Sequence, residues 1–179
     1  MSVENYKPGI FYPVSTILIL FASAWQLPAE IGVYALLFLM LFLPLFDRQW
    51  QVPGVSGSWH DHLSSLAILL AVAVLLFLEP DRAPFFLWTL LFAALPEEWF
   101  FRAYLMRRIK LKPWQVNLLV SLLFSLLHAL TRGWSIGLQV FAPSLFYGWV
   151  YQQRQDVMLL VLLHAISNLV FVMYLRDLM

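Results

Sequence analysis

The chain has no cysteine among its 179 residues, and only 12% of them are charged. The first absence excludes disulfides, a thiol nucleophile and thiolate metal ligands. The second, set against 62% hydrophobic residues, takes the chain out of the range of soluble globular domains. Charge of one sign gathers only in the short stretch Arg107-Arg108-Ile109-Lys110-Leu111-Lys112, and the net charge is +1, so composition offers nucleic acid nothing to bind. Internal repeats and low-complexity tracts are missing too. What remains is apolar sequence cut into lengths that suit a bilayer.

Runs of roughly 17 to 23 apolar residues are long enough to cross a membrane as helices. The sequence offers them near 10-27, 29-46, 63-79, 84-106, 113-130, 135-152 and 157-175. The expected fold is therefore an all-α polytopic bundle of about seven spans, one domain over residues 1-179. Only Pro28 separates the first two runs, which leaves a helical hairpin or a re-entrant pair open. The N-terminal run lacks a small-residue cleavage pattern and reads as a retained span. Lys7, Arg48, Arg107, Arg108, Lys110, Lys112 and Arg154 fall on one side, against Arg82, Arg132 and Arg176 on the other. That excess places the N-terminus in the cytoplasm.

Within these spans a few polar residues stand out, because each ionisable group costs about 2.5 to 3.5 kcal/mol at a membrane helix centre. Pro96-Glu97-Glu98-Trp99-Phe100-Phe101-Arg102 lies inside the fourth run. Helical spacing puts Glu98 and Arg102 on one face, acid first, the favourable order for a pair. Glu97 points about 100° away and needs a partner from another helix. Pro96 should kink the helix and free the carbonyl of Phe92. The fifth run contributes His128, four residues after Phe124, and the seventh contributes His164 and Asn168, again four apart.

Taken singly, a membrane His or Asn is most often an interhelical hydrogen-bond donor. Together the groups make a set suited to hydrolysis by water. A carboxylate and an imidazole, Glu97 and His128, can share a water and take its proton, while His164 and Asn168 can donate to the developing oxyanion. Depth fits less well: from the cytoplasmic ends, Glu97 is expected about 14 Å deep and His128 about 22 Å.

The three motifs, Glu97-Glu98 with Arg102, Phe124 with His128, and His164 with Asn168, occur on separate spans in the order found in the CPBP intramembrane proteases, and the chain resembles that family over roughly residues 85-173. The resemblance covers the type II CAAX prenyl endopeptidases and bacteriocin-immunity proteins, and leaves 1-80 without an assigned role. It implies a glutamic intramembrane endopeptidase with Glu97, His128, His164 and Asn168 catalytic and Glu98, Arg102 and Phe124 supporting, with no metal or cofactor. The implied partner is a membrane-associated protein cut near its C-terminus, lipidated or bearing a sorting tag, in a bacterial inner membrane. Pro143-Ser144-Leu145-Phe146-Tyr147-Gly148-Trp149 is similar to the small sorting-tag branch, and Ser144 and Gly148 read as small residues for close helix approach.

Other readings bear on the same residues. Neither a His-Glu-x-x-His nor a Gly-x-Gly-Asp motif occurs. A zinc site built from Glu97, His128 and His164 would leave Asn168 and the Glu98/Arg102 pair without a purpose. His60-Asp61-His62 offers metal-ligand side chains in an interfacial loop. A non-catalytic scaffold or immunity-type binding protein would use the constellation for packing. An ion translocator should show paired interrupted helices, which Pro44, Pro96 and Pro143 do not supply.

Overall fold

The structure, a computed structural model, describes residues 11–52 and 59–175. Among these there is no strand, and the chain forms a helical membrane bundle. Helix α1, Phe11–Gln26, ends where Pro28 removes a donor. The Pro28 carbonyl then accepts from Ile31 and Gly32 at 3.0 and 2.7 Å and starts α2, Ala29–Phe46. Tyr12 Oη at the start of α1 donates to the Leu43 carbonyl near the end of α2 at 2.9 Å, so the two form an antiparallel hairpin. Pro44 tightens the last turn of α2 into a 3-10 helix, Leu43–Phe46.

Helix α3, Trp59–Leu78, is followed by α4, Pro80–Arg108, across a bend of 118°. The sharp turn is at Glu79, whose φ of −132° and ψ of 69° leave the helical region ahead of Pro80. Just before Pro96 the helix widens: Leu90–Ala94 is a π turn in which Leu95 N–H reaches back to the Leu90 carbonyl. The wider turn absorbs the hydrogen bond that proline cannot make. A second π segment, Trp99–Leu105, follows the two glutamates.

A short connection leads into α5, Pro113–Arg132, with proline at its first position and the Gln115 side chain accepting from Lys112 N–H at 3.2 Å. Gly133, at φ +94°, is the single residue between α5 and α6, Trp134–Arg154, and the left-handed φ is why glycine stands there. A Cβ on Gly137 would come within 2.6 Å of Ala129 Cβ, and one on Gly148 would collide with the Asn117 amide, so both glycines let α6 lie against α5. Helix α7 runs as an α-helix over Val157–Val170 and ends in a π turn, Phe171–Leu175; Asp156 caps it by accepting from Leu159 N–H at 3.1 Å.

Three of these helices, Ala29–Phe46, Pro113–Arg132 and Val157–Tyr174, are long and apolar enough to cross a membrane, and the bent pair α3/α4 makes a fourth when it is counted as one broken span. Large apolar side chains such as Phe77, Leu138 and Trp88 face outward, as a lipid-facing surface requires. Inside are two apolar clusters. One joins Phe101, Tyr104, Val120, Phe124, Tyr147 and Tyr151 with Leu20 and Met40 of the first hairpin. The other joins Val72 of α3 and Phe86 of α4 to Val161, Ala165 and Leu169 of α7. The first three helices thus pack directly on the half of the chain that carries the motifs.

Candidate active site

Glu97, Glu98, Arg102, His128 and His164 are all buried and come from α4, α5 and α7. The Glu97 carboxylate stands between two imidazoles, with Oε1 3.9 Å from His128 Nε2 and Oε2 3.7 Å from His164 Nε2. Both gaps are too long for a direct hydrogen bond and too short for a water in line between the groups, so a water that touches both sits beside the gap. The 8 Å difference in depth expected along the helix axes closes for a geometrical reason. Side chains tilt toward their own helix N-terminus, and α4 and α5 are neighbours joined by a short connection, so Glu97 and His128 lean toward each other.

The tautomers follow from the outer ring nitrogens. His128 Nδ1 lies 3.0 Å from the Phe124 carbonyl, one turn back on α5, and must donate to it. His164 Nδ1 lies 2.8 Å from Glu98 Oε1 and donates to that carboxylate. With both Nδ1 atoms protonated, both Nε2 atoms turn toward Glu97 as acceptors in the neutral ring. Glu97 and Glu98 do diverge from their helix, but they meet opposite edges of one imidazole.

Glu98 Oε2 also faces Arg102 Nε at 3.3 Å, and both side chains are fully buried. Arg102 Nη2 donates to Ser144 Oγ and the Ser144 carbonyl at 2.8 and 3.0 Å. Its guanidinium carbon sits 5.1 Å above the Phe124 ring, a cation–π distance. Phe124 also packs on His128 at 4.3 Å, and Tyr147 stacks on His164 at 5.4 Å. Ser144, read from sequence as a small spacer, is therefore a ligand of the buried arginine. Tyr147 enters the sequence reading only as part of the Pro143–Trp149 stretch, because an aromatic in an apolar run carries no signal that it stacks on His164.

Asn168 lies one turn beyond His164 on α7, half-buried, and makes no hydrogen bond to the other site residues. Among the described residues, no three His, Asp or Glu side chains are arranged to hold a metal ion. The side chains of His60, Asp61 and His62 lie outside the described residues. So do residues 53 to 58, where Gly54-Val55-Ser56-Gly57 forms a Gly-x-Ser-Gly sequence.

A cavity of about 90 Å³ opens beside Glu97 and His128, large enough to hold water. Leu36 and Met40 of α2, Phe92 and Pro96 of α4 and Leu127 of α5 line it, together with Thr131 and Arg132. The second helix, without a role in the sequence reading, supplies one side of this chamber.

Comparison with known proteins yields a family match over residues 79–170, just over half of the chain, to type II CAAX prenyl endopeptidase Rce1-like. No curated protein and no solved structure matches it. The matched stretch holds every residue of the buried polar cluster. The chain is an integral membrane protein, and it belongs to the Rce1-like family of type II CAAX prenyl endopeptidases, a family of proteases.

Proposed function

We propose that the protein hydrolyses a peptide bond near the C-terminus of a membrane-associated substrate, using water activated between Glu97 and His128. The observation that carries this reading is the Glu97 carboxylate facing two imidazole Nε2 atoms across gaps of 3.7 and 3.9 Å. A water there donates to the carboxylate and to His128 Nε2, and its freed lone pair attacks the scissile carbonyl. The C–N bond breaks as the proton taken by the Glu97/His128 pair passes to the leaving nitrogen.

The tetrahedral oxyanion needs donors. His164 supplies one from Nε2 when the ring is an imidazolium, and that cation has Glu97 and Glu98 as counter-charges, one at each edge. Glu97, Glu98, Arg102 and His164 then sum to zero charge, which a buried site requires. Asn168 supplies a second donor once its amide turns toward the oxyanion. Residues 85-173 act as the catalytic core, and the first three helices close it from the side. The N-terminus is cytoplasmic in a bacterial inner membrane, and the substrate carries a lipid or a C-terminal sorting tag.

C-terminal peptides compared between cells carrying wild-type and Glu97→Gln protein would identify the substrate. In purified protein, Glu97→Gln and His128→Ala should each lower turnover by about 10² to 10⁴-fold while the Tm in detergent stays within a few degrees. Turnover surviving in the double variant would refute the assignment, and turnover lost to a chelator would move it to a metal mechanism.

A further inference from the structure

Of the polar groups lining the catalytic cavity, three have an evident partner. Glu97 and His128 face each other, and Thr131 Oγ1 donates to the Leu127 carbonyl at 2.9 Å. Arg132 does not: among the described residues its guanidinium makes no hydrogen bond and no ion pair, although it borders the same chamber. Arg82, another arginine outside the basic rim, has Glu79 4.0 Å away, whereas Glu30 in the first turn of α2 makes no ion pair with Arg132.

The placement of Arg132 is rigid at its base and free at its tip. It is the last residue of α5, one turn after His128, and Gly133 at φ +94° stops the helix immediately behind it. Gly137, against Ala129 and the Ser125 carbonyl, pins the start of α6 to the same end of α5. Beyond that base the side chain is exposed. The chamber that Arg132 lines together with Glu97 and His128 is also lined by Leu36, Met40, Phe92 and Leu127, which suit apolar side chains.

We propose that Arg132 is a carboxylate-binding residue at the mouth of this chamber, and that it fixes how far an acidic group of the substrate lies beyond the bond that is cut. The proposal rests on the reading of Glu97 and His128 given above. A guanidinium binds a carboxylate through two parallel N–H···O bonds, and apolar walls reduce competition from water. One turn of helix and an extended arginine place the bound carboxylate roughly 9 to 12 Å from the His128 ring, a reach of about two to four extended residues. The carboxylate has two possible sources, the chain terminus itself or an Asp or Glu side chain.

The test uses the purified full chain in phosphatidylcholine vesicles, so that anionic headgroups do not compete. The probe is a quenched fluorescent peptide of apolar residues with an N-terminal acyl chain, in three forms: free C-terminal carboxylate, C-terminal amide, and amide with Asp near the end. The carboxylate form should exceed the plain amide by about 10-fold or more in kcat/KM, mostly through KM, since only the carboxylate makes a charge-assisted hydrogen bond to the guanidinium. Recovery by the Asp form identifies a side-chain source, and its failure to recover identifies the chain terminus. Arg132→Gln should bring the carboxylate-to-amide ratio to about one, and Arg132→Lys should keep part of it. The same comparison by binding to Glu97→Gln protein reads the subsite without turnover. Equal affinity for both forms there, or a ratio that survives Arg132→Gln, overturns the proposal. Absence of cleavage alongside a preserved binding preference overturns only the catalytic reading.

Discussion

Helix α4 buries two arginines, and their surroundings differ. At its end, Arg108 meets Asp47 with Nε 2.7 Å from Oδ2, and Tyr104 Oη donates to the same oxygen at 3.2 Å. Gln49 N–H donates to Oδ1 at 3.0 Å, and Arg108 Nη2 reaches Gln49 Oε1 at 3.0 Å. The Asp47 carboxylate is fully engaged, and with Trp50 Nε1 donating to the Ala103 carbonyl at 2.9 Å it ties the end of the first hairpin to α4. Two turns earlier, Glu98 Oε2 and Arg102 Nε and Nη1 are buried without a hydrogen-bond partner. Their 3.3 Å approach is an ion pair without directed bonds.

A satisfied pair holds two segments together. An under-satisfied pair in a deep site retains field and donor capacity for the group beside it, here the His164 ring that Glu98 orients. The difference is between a tie and a poised polar centre, on one helix.

Four substitutions bear on that contrast, from the largest effect to the smallest. Glu98→Gln offers an amide where His164 Nδ1–H needs an anion and leaves Arg102 unpaired. Activity should fall by at least about 100-fold, and stability by about 3 to 5 kcal/mol, read by kcat and by unfolding in detergent. Asp47→Asn should show a stability loss of similar size, about 3 kcal/mol or more, with the rate per folded molecule little changed. A large drop in that rate would mean the two pairs are not separable.

Asn168→Ala should lower kcat on the order of 100 to 1,000-fold if its amide reaches the oxyanion. A change confined to Tm would return Asn168 to a packing role. Gly148→Ala, whose Cβ meets the Asn117 side chain, should push α6 from α5 at a cost of about 1 to 3 kcal/mol. Because Asn117 Nδ2 holds the Leu145 carbonyl at 3.0 Å, next to Ser144, the displacement should be felt at Arg102 and not at Arg108. A matching reduction in activity without effect on the Asp47 tie is the expected signature.

Much of this architecture is legible from residue order alone. Helices occupy the apolar runs because an unpaired backbone group in hydrocarbon costs several kcal/mol, and within one segment only a helix satisfies them all. Glu97, Glu98 and Arg102 were visible as ionisable letters in an apolar run, and Phe124/His128 and His164/Asn168 as pairs at one-turn spacing. Asp47 was not, because it lies in a polar stretch where acids are common, and its partner is 61 residues away. Arg108 was read with the surface cluster for the same reason, since nothing local distinguishes a basic residue that turns inward.

Local chemistry, then, determined the class of the protein, the position of each helix and which polar groups had to be explained. Tertiary structure alone decided that Glu98 reaches His164, that Ser144 receives Arg102 and that α2 walls the chamber. The physical reason is range. Propensity, proline and apolar periodicity act over one or two turns, whereas the direction of a buried side chain is settled by whichever distant helix can supply its missing donor, acceptor or counter-charge.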